Sequence, residues 1–365
     1  MKIALFTSLL ESVAPPVYQE HYDNAGLITG NGDWDCTGIL VTLDATEAVV
    51  DEAIQKKVNL IISHHPIIFS GLKKINGKNY VDRAVIKAIK FDVAIYAIHT
   101  NLDNIITGVN GRMADKLGLI QRRVLQSKPA TLKKLFTFVP DAQAGEVRDA
   151  LFAAGAGNIG QYAEASFNAA GIGTFKAMEG ANPFVGDPGK RHEEQETKIE
   201  VIFPGYLQKT LVEALQQSHP YEEVAYDIVD LANLQTSLGS GLLGDLPEPL
   251  DEKTFLGKIK AVFGLSVIRH TRLTGLAVKT VALCGGAGSF LISKALSSGA
   301  GFYISSDIRY HEFFDAEDKM VVADIGHFES EQFTIDLLYD ILREKFPTFA
   351  VLKPDTSTNP VHYYL

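Results

Sequence analysis

Three short apolar runs, each ending in residues able to bind a metal, constrain this chain more than any other feature. "VNLIISHHP" runs into His64 and His65, "DVAIYAIHTNLD" into His99 and then Asp103, and "VVADIGHFESE" into His327 and Glu331. Runs this short and this apolar read as strands buried on both faces, and such strands sit in parallel sheets with helices on either side. The intervening segments supply helical patterns: "EAVVDEAIQKK" and "DRAVIKAIKF" early, "FLISKALSSG" late. "GILVTLDAT" adds a buried strand ending at Asp44, and "TVALCGGAGS" a strand with a glycine turn. The pattern predicts an α/β body with a mostly parallel or mixed sheet. "SEQFTIDLLYDILREKF" reads as one long closing helix with Phe333, Leu337, Leu338, Ile341 and Leu342 on a single stripe.

The pattern changes near residue 126. "LKKLFTFVP", "KIEVIFPG" and "EVAYDIVDL" read as strands, with "AQAGEVRDALFAAG" and "YLQKTLVEALQQ" as helices between them. That order predicts an α+β unit of ferredoxin-like type. Its glycine-rich middle, 155–196, reads as strands joined by long loops. Residues 1–125 and 235–365 are therefore expected to form one discontinuous body, and 126–234 an inserted domain. The body also reads as two related halves. Asp44 follows a strand and precedes a helix, with the next strand ending at His64. Gly285 follows a strand and precedes a helix, with the next strand ending at Asp307.

A chain of 365 residues exceeds one typical core, in line with two or three domains. The formal net charge of −10 argues against nucleic acid or an anionic membrane as partner. No run of 18 apolar residues occurs and the N-terminus lacks a cleavage signature, so neither a membrane span nor a signal peptide is expected. Cys36 and Cys284 are the two cysteines, too few for a disulfide framework; they read as small buried hydrophobes, and cytoplasmic residence fits.

In open α/β sheets, sites form at the carboxyl ends of strands, where these three loops converge. Successive strand residues point to opposite faces, so His64 and His65 can serve one site only if the chain turns there; Pro66 favours that. His327 and Glu331, four apart at a helix start, share a face. Three imidazoles and two carboxylates are few for two ions unless something bridges, and Glu331 is the bridging candidate. Asp44, His99, Asp307 and His311 are further ligands or supporting partners. His21, His192, His219, His270 and His362 read as structural or exposed. "CGGAGS" from Cys284 could cradle a phosphate, although a tight turn needing small residues is the simpler reading. "HPYEEVAYD" from His219 reads as a structural signature of the insert.

Together "HYDNAGLITG", "VTLDAT", "SHHPIIF", "HTNLDN", "DIRYHEFFDA" and "DIGHFESEQF" resemble the NGG-interacting-factor-three-like family, also known as GTP cyclohydrolase I type 2 homologues or dinuclear metal centre proteins. "GNIGQYAEASF" and "HPYEEVAYD" resemble the long bacterial members, whose insert is similar to signalling protein P-II or the CutA fold. One departure is Ala163-Glu164-Ala165-Ser166, where a cysteine is expected before the serine. The resemblance implies His64 and His65 on separate ions, Asp103 completing one, His327 the other, and Glu331 bridging. It also implies zinc or iron, with manganese as an alternative, and a homohexameric toroid with sites facing an internal cavity.

The function expected from these residues is metal-dependent hydrolysis of a nucleotide or related small molecule, with Glu331, His99 and Asp307 as catalytic candidates. A non-enzymatic metal-binding regulator or scaffold is the alternative. A ring that binds nucleic acid conflicts with the net charge.

Overall fold

The computed structural model describes residues 1–129 and 131–364. The chain separates into two compact units, Met1–Ser127 with Thr236–Leu365, and Lys128–Gln235.

The first unit begins with α1 (Ile3–Val13), β1 (Gly26–Thr29), β2 (Ile39–Thr42), α2 (Glu47–Gln55), β3 (Leu60–Ser63), α3 (Tyr80–Lys90), β4 (Ala94–Ala97), α4 (Thr100–Asp103), α5 (Val109–Leu117) and β5 (Ile120–Ser127). The second unit holds β6 (Leu132–Pro140), α6 (Ala144–Ala153), β7 (Ser166–Lys176), β8 (Arg191–Pro204), α7 (Gln208–Ser218) and β9 (Tyr226–Asp230). The first unit resumes with β10 (Gly239–Leu250), α8 (Glu252–Phe263), β11 (Arg269–His270), β12 (Val278–Ala287), α9 (Ile292–Ser297), β13 (Phe302–Ser306), β14 (Val321–Asp324), α10 (His327–Glu331), α11 (Thr334–Lys345) and β15 (Val351–Leu352).

Both sheets of the first unit are mixed. One runs β1-β4-β3-β2-β15, the other β11-β14-β13-β12-β10-β5. Each has three consecutive parallel strands, β2-β3-β4 or β12-β13-β14. In each, the short strand preceding that trio pairs antiparallel with its last member, β1 on β4 and β11 on β14. A helix leads into each set, α1 or α8. The two halves thus repeat one order of strands behind a leading helix.

The apolar runs are strands because both their faces are covered. On β3, Leu60 and Ile62 enter the core formed with α1 and α11, while Ile61 faces the core formed with α2 and α3. Complete burial of such a side chain contributes ~1.5–3 kcal/mol. Thr46 and Asn79 cap α2 and α3 through their side chains, accepting from Val49 N and Asp82 N.

Several elements escaped the sequence reading. β5 and β10 pair antiparallel along the second sheet, yet β5 is mostly polar and β10 carries Gly and Pro. The expected single closing helix is two, α10 and α11. Leu338 and Leu342 pack into the first half's core, with Leu337 and Ile341 against it, but Phe333 packs into the second half's core. The break between the helices lets one apolar pattern serve two cores.

The second unit is a four-stranded antiparallel sheet in the order β7-β8-β6-β9, with α6 and α7 packed into its core. Numbered within the unit, its strands run 2-3-1-4, the split βαβ arrangement of a ferredoxin-like fold.

Candidate metal centre

The turn after β3 brings both histidines to one side. His64 N donates to Thr42 O at 3.1 Å and His65 N to Leu43 O at 2.8 Å. Two successive N–H groups donating to the same neighbour cannot belong to a regular ladder, where they alternate sides. The Ser63 hydroxyl fastens the turn by donating to His65 O at 2.8 Å.

Each imidazole is then fixed through Nδ1. His64 Nδ1 meets Ile98 O at 2.8 Å, and His65 Nδ1 meets Asp44 at 2.8 Å. His99 Nδ1 meets Asp23 at 2.8 Å, and His327 Nδ1 meets Asp307 at 2.6 Å. A carbonyl or carboxylate accepting from Nδ1 leaves the Nε2 lone pair free to ligate, the arrangement found around metal-bound histidines.

The inward atoms converge on Glu331. His65 Nε2 lies 2.9 Å and His327 Nε2 3.2 Å from its Oε2, and His64 Nε2 lies 3.8 Å from its Oε1. Asp103 Oδ1 is 3.5 Å from His64 Nε2, and the Nε2 atoms of His65 and His327 are 3.3 Å apart. One ligand atom from each of His65, His327 and Glu331, and likewise from each of His64, His65 and His99, lies within 4.8 Å of the others. His64 and Glu331 are buried.

Three of these buried atoms, His64 Nε2, Asp103 Oδ1 and Glu331 Oε2, have no hydrogen-bond partner. Unpaired buried polar atoms are costly, about 1–3 kcal/mol each and more when charged, so convergence of three in one place calls for a ligand. A divalent cation suits a set of imidazole nitrogens and carboxylate oxygens.

The electrostatics describe a site that attracts positive charge. With no ion present, burial disfavours charging His65, but the Asp44 and Glu331 carboxylates beside it overcome that and hold its pKa up at about 10. His327 is likewise raised to about 11, against burial, by Asp307 and Glu331. Burial pushes the Asp103 carboxyl up to about 7. The surrounding histidines hold Glu331 far below the usual carboxylate range despite its burial.

The glycine loop after β12 serves this site by yielding space. A Cβ on Gly286 would lie 2.4 Å from Glu331 Oε1. Gly285 N donates to Asn110 Oδ1 and Gly286 N to Ser330 Oγ, both at 2.9 Å. Those two donors are engaged within the protein, which supports the simpler reading of a tight turn. His219 is structural as expected, its Nε2 meeting Phe138 O at 3.0 Å while Nδ1 accepts from Tyr221 N at 3.1 Å.

Of the sequence candidates, His64, His65, His99, Asp103, His327 and Glu331 come together, with Asp44 and Asp307 behind the imidazoles. His311 does not join them; it is exposed, meets Tyr310 edge-on and stacks with Phe314. Two participants were missed. Asp23 accepts from Thr100 N at 3.0 Å as well as binding His99. The Thr358 hydroxyl donates to Asp44 Oδ2 at 2.7 Å. Asp23 lies within a motif already singled out, "HYDNAGLITG", while nothing around Thr358 marks it.

A family model for Duf34/NIF3 (NGG1p interacting factor 3) matches residues 1–360. The chain belongs to this family. A Bacillus subtilis (strain 168) relative called "GTP cyclohydrolase 1 type 2 homolog" is 37% identical over 357 residues, 96% of either chain. A Halalkalibacterium halodurans relative of the same name is 38% identical over 368 residues, 99% of either chain. The crystal structure of a Bacillus cereus protein related to NIF3 superposes with a TM-score of 0.88 at 35% identity, covering 100% of this chain and 99% of that one. This Duf34/NIF3 chain therefore has the mixed α/β architecture of solved NIF3 structures, and its His/Glu clusters are able to hold a metal ion. Among the described residues no helix is long and apolar enough to cross a membrane.

Proposed function

We propose that this centre holds two divalent ions and hydrolyses a nucleotide or related small molecule. The observation that supports it best is the meeting of three partnerless buried atoms, on His64, Asp103 and Glu331, beside the paired Nε2 atoms of His65 and His327. His64 and Asp103 would hold one ion, His65 and His327 the other, and Glu331 would be shared between them. Zinc and iron suit this donor set, and manganese is compatible with it. Bound there, such ions supply Lewis acidity and a means of ionising water near neutral pH.

The chain's own groups have separate tasks in this reading. Asp44, Asp307, Asp23 and the Ile98 carbonyl orient the imidazoles. His99, held by Asp23 and flanked edge-on by Phe69 at 5.7 Å, takes and returns a proton beside the reacting centre. Asp307, half exposed, passes protons between His327 and solvent. The name carried by the relatives makes GTP one candidate nucleotide.

A second reading, a metal-binding regulator or scaffold without turnover, is favoured by His99. A fourth imidazole close to His64 and His65 could close the coordination shell and leave no open position. In either reading the protein works in the cytoplasm, without nucleic acid, as a homohexameric ring with an insert of P-II/CutA type; the split βαβ order of the second unit supports that last element.

Elemental analysis of anaerobically purified protein with His64→Ala and Glu331→Ala, followed by a nucleotide hydrolysis panel, tests the proposal. About two ions per chain, fewer in both variants, and turnover lost with Glu331 would sustain it. Full metal without turnover would favour the regulator, and no metal even after reconstitution would remove both.

A further inference from the structure

We propose that the second unit binds a small organic ammonium ion in a cleft between β7, β8 and the 181–184 and 221–225 segments, built from none of the metal-centre residues. The cleft has a volume of about 710 Å³ and is walled by Phe138, Phe175, Phe184 and Tyr221, with Glu196 and Lys198 among its polar residues. The Tyr221 ring lies 5.9 Å from Phe175 and 6.3 Å from Phe184, both tilted, so ring faces and edges surround one volume.

Glu196 gives the cleft its chemistry. It is only 8% exposed. Among the described residues the Tyr221 hydroxyl alone donates to it, at 2.8 Å to Oε1. A carboxylate has about four acceptor positions, so most of this one's capacity is unused. Gly173 on the facing strand makes room for it, since a Cβ there would lie 2.1 Å from Glu196 Oε2. The neighbouring lysine does not neutralise it: Lys198 Nζ is bonded to Glu200 at 2.7 Å and sits 4.5 Å from the Phe136 ring.

A largely buried carboxylate whose one protein donor is neutral favours a cation as the partner for its remaining acceptor positions. Aromatic faces attract ammonium groups through the ring quadrupole. Acid and rings together select a positively charged nitrogen with an apolar substituent. A metal ion lacks enough oxygen or nitrogen donors here, and an anion would meet Glu196.

The test uses the full chain and two isosteric probes, n-butylammonium chloride and 1-butanol, followed by ligand-observed NMR titration. The parent is expected to bind the ammonium at least tenfold more tightly than the alcohol. Glu196→Gln keeps the Tyr221 hydrogen bond and is expected to bring the two affinities together. Phe184→Ala, at an exposed side chain that leaves the fold intact, is expected to weaken the ammonium severalfold. Equal binding of both probes by the parent, an undiminished preference in E196Q, or no effect of F184A would each overturn the assignment, as would no ammonium binding at all.

Discussion

Replacing Gly286 with alanine should weaken metal binding at the proposed centre without substituting a ligand. Gly286 has φ +66°, where a residue with a Cβ loses ~1–2 kcal/mol. The new Cβ would also stand 2.4 Å from Glu331 Oε1, which is 1.0 Å short of the 3.4 Å at which ordinary contact begins (3.4 − 2.4). The Glu331 side chain is 3% exposed, so any retreat must displace it within a packed site. Metal–ligand distances tolerate displacements of roughly 0.2 Å. An expected loss in metal affinity of about 100-fold follows, the upper end of what disturbed ligand support usually costs. Gly299→Ala supplies the control, because Gly299 has φ +80° and nothing within 4 Å of its Cβ position. Each variant should lower the unfolding midpoint by roughly 2–4 °C per kcal/mol lost. Only G286A should lose metal, measured by elemental analysis and chelator competition. Equal metal retention by G286A and G299A would refute the claim that Glu331 is fixed by the absence of a side chain at 286.

Other outcomes follow from the same contacts. Thr358→Val removes a donor from Asp44 and leaves His65 less firmly oriented, so metal affinity should fall about tenfold; unchanged competition against a fluorescent chelator would exclude Thr358 as a positioning residue. Glu52 is pushed up by burial but held down at about 2 by Lys56 and by Asp355 and Thr356 N–H groups, which tie 355–356 to α2. Because its folded pKa lies below the ordinary 4.5, its contribution is complete above that value and is lost as pH falls towards about 2. Protection of the 355–356 amides against hydrogen exchange, relative to the unfolded chain at the same pH, should therefore fall across that window in the parent and be low already at neutral pH in Glu52→Gln. Ile62→Ala, at a fully buried strand position, should cost ~2–5 kcal/mol in chemical denaturation; a loss below 1 kcal/mol would mean the core relaxes around it.

The sequence made the centre visible where chemistry and secondary structure coincide. A continuous apolar run fixes a strand, and its last residues must stand at the sheet's edge, so His64, His65, His327 and Glu331 were readable as a group. Supporting residues were harder to see. Thr358 contributes from 314 positions beyond Asp44, and only folding reveals that the two meet. Asp23 was hidden for the same reason, 76 positions before His99. β5 and β10 were missed because one is polar on most positions and the other contains Gly and Pro, which local preference assigns to turns. Phe333 was misassigned because helical periodicity cannot reveal a break that shifts one residue to another core.

The repeated halves would give an ion at the proposed centre a mechanical role. His64, His65 and Asp103 stand on the first half, and His327 and Glu331 on the second. An ion bound by both sets, as proposed above, would be a rivet across a seam, resisting its parting. Whatever pries the halves apart would then loosen the ion, and removing the ion would loosen the halves.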